Sequence, residues 1–190
     1  MGKLALSLGT IALATALAAC GSDAVTPPDP TPSPTTATTS PTPTSSPAPT
    51  PPVMPDAATK RTAAGAKSFV VYYWQVVDYA SATLDTTLLS YLSSDACASC
   101  QRGINGLKDD AKLGATLSGG EETVTDLKVA LTAVDSVYLA TVTYTLTSTT
   151  QIESFPNGKT KQYPAASAKD RMTLQWLNNR WHVVQLEAEQ

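Results

Sequence analysis

The chain has 190 residues, with 13 Lys and Arg against 16 Asp and Glu, and a formal charge of −3. It lacks the basic footprint that nucleic-acid or anionic-lipid recognition requires, so neither is expected as a partner. With three cysteines and one histidine it also offers little material for metal or nucleophile chemistry.

Lys3 precedes a run from Leu4 to Ala19 that is almost wholly apolar or small, and Leu17-Ala18-Ala19-Cys20 closes it. The run is too short and too Ala-rich for a membrane-spanning helix. An aliphatic residue and two small ones before Cys is the layout of a bacterial lipoprotein signal. Residues 1–19 are then a signal peptide, and Cys20 receives a diacylglyceryl group and becomes the mature N-terminus. A two-chain lipid anchors stably, because each buried CH₂ adds ~0.8 kcal/mol. The bland alternative is an ordinary secretory signal with an incidental Cys.

Residues 20–56 read as a linker. Of the 14 prolines, all but Pro156 and Pro164 lie between Pro27 and Pro55, among Thr, Ser and Ala. Such a segment cannot bury enough surface to offset the entropy of ordering. As extended polyproline it would reach ~100 Å at ~3.1 Å per residue. Its Thr-Pro and Ser-Pro density also suits an O-glycosylated stalk.

Residues 57–190 suit one domain with one core. Ala58 to Ala82 predicts a helix, because Phe69, Tyr73, Val76, Val77 and Ala80 form a stripe of period 3.6, widened by Val70 and Trp74. Asp85-Thr86-Thr87 can open a short second helix carrying Leu88, Leu89 and Leu92. Ser94 or Asp95 can cap a third, running through Ile104 and Leu107 to about Leu113.

The period then changes to 2. Thr123 to Val134 predicts a strand whose alternation slips near Asp126 and near Thr132, as at bulges or strand ends. Ser136 to Ser154 predicts one long strand with Tyr138, Ala140, Val142, Tyr144 and Leu146 on one face. Pro156-Asn157-Gly158 is a turn signal. Ala168 to Leu177 puts Met172, Leu174 and Trp176 on one face, and Asn178-Asn179 fits a two-residue hairpin turn. Arg180 to Ala188 closes the chain, with Trp181 and Val183 on one side and His182, Val184 and Leu186 on the other.

Helices followed by a meander of antiparallel strands predict an α+β domain, with three N-terminal helices packed on one curved antiparallel sheet. This order, with the closing Leu174 to Val184 hairpin, resembles the nuclear transport factor 2-like, or SnoaL-like, cone. A second resemblance rests on Gly65 to Trp74, Asp78-Tyr79-Ala80, Leu89, and Ser93-Ser94 through Cys97-Ala98-Ser99-Cys100. Together with the signal and linker, these are similar to an uncharacterised family of actinobacterial lipoproteins. That resemblance implies location and fold and carries no activity. Leu84-Asp85 departs from it where Gly-Asp is expected, which affects a turn.

Cys97 and Cys100 are the first candidates for chemistry. With Cys20 lipidated they are the remaining thiols, and an oxidising compartment favours a disulfide. In the first turn of a helix their Cα atoms would lie ~5 Å apart, within disulfide range. A structural staple is the leading reading. A redox pair at a helix N-terminus is the alternative; zinc would need more ligands than two Cys and the distant His182 supply. Asp109-Asp110 and Gly119-Gly120-Glu121-Glu122 read as solvated acids on a helix face and at a turn.

The aromatics Tyr72, Tyr73, Trp74, Tyr79, Trp176 and Trp181 read first as core. In a cone, Tyr73, Trp74, Asp78, Trp176 and His182 would be the residues of a ligand pocket. The expected function is therefore a membrane-anchored, surface-exposed lipoprotein on the extracytoplasmic face, needing no cofactor. It would bind an envelope protein or a small apolar or glycan ligand. The alternative is a SnoaL-like enzyme pairing His182 with a carboxylate such as Asp78.

Overall fold

The computed structural model describes residues 48–189. The signal peptide, the lipidation residue Cys20 and the linker as far as residue 47 lie outside the described residues. Helices come first and antiparallel strands follow, an α+β arrangement. The elements are a 3-10 turn, Asp56–Thr59, then α1 (Ala63–Thr83), α2 (Thr87–Leu92), α3 (Ala98–Leu113), β1 (Thr116–Gly119), β2 (Glu122–Val134), β3 (Val137–Ser148), β4 (Gln151–Ser154), β5 (Thr160–Tyr163), β6 (Ala166–Leu177) and β7 (Arg180–Ala188).

The first helix starts later than the periodicity predicts. The Thr62 hydroxyl accepts from Gly65 N–H at 3.0 Å and caps α1, which leaves residues 56–59 as a separate turn. Gly65 is required here, because a Cβ would collide with the carbonyl oxygens of Lys60 and Ala57. Helix α1 ends at Leu84, which adopts the left-handed conformation at φ 59°. That is the conformation glycine supplies without strain, which explains why Gly is the expected residue at this turn. Helix α3 is capped by the Cys97 sulfur, which accepts from Cys100 N–H at 3.3 Å. The Ser94 hydroxyl instead accepts from Ala96 N–H, so it closes the turn before the helix.

The strands form two sheets where one was expected: β2-β3-β6-β7 and a small β1-β4-β5. The expected strand from Ser136 to Ser154 breaks at Thr149-Thr150. The Thr149 hydroxyl accepts from the N–H groups of Gly120 and Glu121, and Thr149 N–H donates to the Glu121 carbonyl. Past this clasp, β4 pairs with β1 and β5. The slip near Asp126 is present as a register shift between Thr125 and Lys128, with Asp126 at φ 56°. Near Thr132 the register runs unbroken and β2 ends two residues on at Val134, so of the two expected forms there is a strand end and no bulge. Asn178 and Asn179 both take positive φ, as a tight two-residue hairpin needs.

The core lies between the helices and one face of the larger sheet. Phe69, Val70, Tyr73, Val76 and Ala80 of α1 meet Ala140 and Val142 of β3, Met172 and Leu174 of β6, and Trp181 and Val183 of β7. One expectation about faces fails on β7. The register shifts opposite Thr173 and Leu174, leaving Val184 as an extra residue. Such a bulge reverses the alternation beyond it. Leu186 therefore packs toward the core, on the opposite side from His182.

Candidate functional site

The two ends of the helix-sheet interface are built differently. At the β2-β3 hairpin end, Trp181 is fully buried and its indole N–H donates to the Lys60 carbonyl at 3.0 Å. Its ring meets Trp176 edge-on at 5.1 Å and Tyr138 at 5.8 Å. Aromatic contacts of this kind stabilise beyond the area they bury. Trp176 thus seals this end and lines none of the cavities described below.

Six residues farther along β3, about 20 Å at ~3.4 Å per residue, stands Tyr144. Its hydroxyl accepts from the Trp74 indole N–H at 3.2 Å. The neighbouring Tyr73 hydroxyl shares a hydrogen bond with Ser93 at 3.0 Å. Burial raises the pKa of both phenols. These bonds fix the two side chains that form the wall of an apolar cavity of about 230 Å³, with Val77, Leu89, Leu107 and Leu186.

A second, polar cavity of about 210 Å³ adjoins it and includes Glu122, Ser148, Gln151 and Tyr163. Val77 and Ser81 of α1 line both cavities, so the two lie side by side against one stretch of helix, together a two-part cleft. Asp78 follows Val77 on α1, and its Oδ1 accepts from Glu122 N–H at 3.0 Å. A third cavity, of about 350 Å³, lies between Pro49, Pro52 and the α1 residues Gln75, Asp78 and Tyr79. The chain entering the domain therefore runs beside the same carboxyl.

The acids at this end are unusual. Partial burial raises the Asp78 pKa to about 6, with Glu121 repulsion adding to it against the bond from Glu122 N–H. Burial first, then repulsion from Asp78 and Asp170, raises Glu122 to about 7. Asp170 is raised by burial as well. Glu122 Oε2 is buried with no hydrogen-bond partner. Glu122 is thus half-buried, and only Glu121 is the solvated acid expected at this turn. Asp110 is also not a free surface acid. Burial and the adjacent, buried Glu153 raise its pKa, and Glu153 in turn accepts from the Tyr163 hydroxyl at 2.9 Å.

Of the five expected pocket residues, Tyr73 and Trp74 line the apolar cavity, Asp78 lines the third cavity and reaches the polar one only through its bond to Glu122 N–H, and Trp176 and His182 line none of them. His182 pairs with Gln175 between the buried Trp181 and Val183, so it faces away from α1. Its Nε2 accepts from Arg180 Nε at 2.9 Å. Burial and the nearby guanidinium both lower its pKa. Asp78 and His182 are therefore on opposite faces of the sheet. Glu122, Tyr144 and Asp170 are the site residues that sequence reasoning did not place. The Tyr144↔Asp170 register pair could not be read before the strands were aligned.

Cys97 and Cys100 are joined in a disulfide, with Cα atoms 5.3 Å apart. Both are buried, and Cys100 lines the apolar cavity. Among the described residues no group of three or more His, Cys, Asp or Glu is arranged to hold a metal ion. No helix among them is long and apolar enough to cross a membrane.

The molecule is thus an α+β domain with a two-part cleft beside its first helix. The chain belongs to DUF6318, a family of unknown function, whose model matches residues 37–187. No curated protein matches it. Among solved structures, it is similar to the intermembrane space region of the chloroplast protein ARC6. That match has a TM-score of 0.47 and 15% identity, over 67% of this chain and 95% of the other. It is also similar to the association domain of C. elegans CaMKII, with a TM-score of 0.40 and 12% identity, over 66% of this chain and 96% of the other.

Proposed function

We propose that the domain is a ligand-binding module of the cell envelope, of nuclear transport factor 2-like (SnoaL-like) form, in an actinobacterial lipoprotein. Lipidated Cys20 anchors it at the extracytoplasmic face of the membrane, and the Pro/Thr/Ser linker holds it away from the bilayer. Its ligand is a small molecule with an apolar part, seated against Trp74.

The observation that carries this reading is the apolar cavity of about 230 Å³ beside Tyr73 and Trp74. Cavities of this kind, apolar with a few fixed polar groups at one side, are the usual form of small-molecule sites. The anchor is supported by Leu17-Ala18-Ala19-Cys20, and the spacer by the proline-rich run after it. The helix-then-strand order and the closing β6-β7 hairpin support the cone. The alternative, catalysis by His182 with Asp78, lacks geometric support because the two groups face opposite sides of the sheet.

Indole titration tests the reading. The Trp74 indole N–H resonance is expected to shift in a saturable way, and Leu107→Trp, which fills the cavity, is expected to abolish the shift. A Trp74 resonance unmoved by indole, in a chain whose other signals show it folded, would end the proposal.

A further inference from the structure

We propose that this cleft holds a small amphipathic cation, with an ammonium or guanidinium group at Glu122, whose N–H is bonded to the neighbouring Asp78, and an apolar body against Trp74, Leu107 and Leu186. The inference rests on the ligand-binding reading above and narrows it to a ligand class.

Size comes first. An apolar cavity of about 150 Å³ already takes a benzene ring. About 230 Å³ therefore holds one ring with a short chain. Val77 and Ser81 belong to both cavities, so the half that contains Glu122 is within reach of a short chain carried by a ring in the apolar half.

The second argument is the unpartnered oxygen. Glu122 Oε2 is buried and accepts no hydrogen bond. Leaving a buried acceptor unsatisfied is costly, and native proteins do it rarely. A donor from a bound molecule would remove that cost.

Charge supplies the third. The titratable groups lining this half are Glu122 of β2 and Tyr163 of β5. Around Glu122 stand Asp78 of α1, which accepts from its N–H, Asp170 of β6, which repels it, Glu121 just before β2, which repels Asp78, and the Tyr144 phenol of β3. Neither cavity is lined by Lys, Arg or His. Neither ion pair among the described residues involves these acids. An anion would add to the repulsion, whereas a cation would relieve it and give the orphan oxygen a charge-assisted bond. The same carboxyls do not converge as metal ligands do, which favours an organic cation.

Three probes that share a phenylethyl body test this by calorimetry on the full chain at pH 7.5: phenethylammonium, 2-phenylethanol and 3-phenylpropanoate. Phenethylammonium is expected to bind at least about tenfold more tightly than the alcohol, and the carboxylate more weakly than either. The advantage should shrink at pH 5, where the carboxyls hold protons. Glu122→Gln should abolish it while leaving the affinity for the alcohol within about twofold. Asp78→Asn is the second variant and should reduce the advantage in part. Equal binding of ammonium and alcohol, or tightest binding of the carboxylate, would overturn the cation assignment and leave the apolar cavity as a site. Failure of all three probes to bind would overturn the cavity reading with it.

Discussion

The Trp181 end and the Tyr144 end share one helix and one sheet, yet they treat polar groups in opposite ways. Around Trp181 the rings pack edge to face and the indole N–H has a carbonyl partner. Around Tyr144 a carboxylate oxygen has no partner, two carboxyl pKa values stand well above normal, and cavities remain open. Left-handed backbone occurs at both ends, at Leu84 after α1 and at Asp135, Ser136, Asn178 and Asn179 in the hairpin turns, so it does not separate them. The orphan acceptor and the raised carboxyls belong to the Tyr144 end alone. Local costs that buried architecture does not explain are the mark of a site kept for binding.

Substitutions at the two ends should separate packing from site. The largest expected effect is at the packed end. Trp181→Ala should cost about 3–5 kcal/mol in urea unfolding, from lost burial and an empty cavity. A cost below about 1 kcal/mol would mean that this end is not the anchor of the fold.

Next comes the disulfide. The Cys97-Cys100 loop is short, so Cys97→Ser with Cys100→Ser should cost about 2 kcal/mol at most by loop entropy. Because Cys100 lines the apolar cavity, chemical shifts should move at Trp74 and Leu107 and stay fixed at Trp176. Shifts concentrated at Trp176 would erase the distinction between the ends.

A gain is expected at Leu84. Leu84→Gly should raise stability by up to about 1 kcal/mol, because glycine tolerates the left-handed turn without a Cβ penalty. A loss would show that the half-buried Leu84 side chain contributes more packing than its backbone costs.

Much of the core is legible in the sequence. The Phe69-Tyr73-Val76-Ala80 stripe, the Met172-Leu174 face and the Asn178-Asn179 turn are local patterns with a fixed period, and each takes its expected place. The mouth is not legible in this way. Its acids come from α1, β2 and β6, and only long-range register brings them together. The Val184 bulge is equally hidden, since one extra residue reverses a face without altering composition. The sequence likewise places the strand break at Thr149 nowhere, because a side-chain hydroxyl bonding to a distant turn creates it.

The most direct test is the pH dependence of unfolding free energy for the wild type and Glu122→Gln. A carboxyl whose folded-state pKa is raised binds more protons when folded. Stability is then greatest below the unfolded pKa, falls as the pH rises to the folded value, and is flat beyond it. For Asp78, from 3.8 to about 6, and Glu122, from 4.5 to about 7, the fall spans about pH 4 to 7. Wild-type stability should decline across that window. Glu122→Gln should show a shallower decline and be the more stable protein at pH 7.5. A wild-type profile without that decline, or a variant less stable than wild type at pH 7.5, would contradict the claim that the Tyr144 end holds a site at the expense of stability.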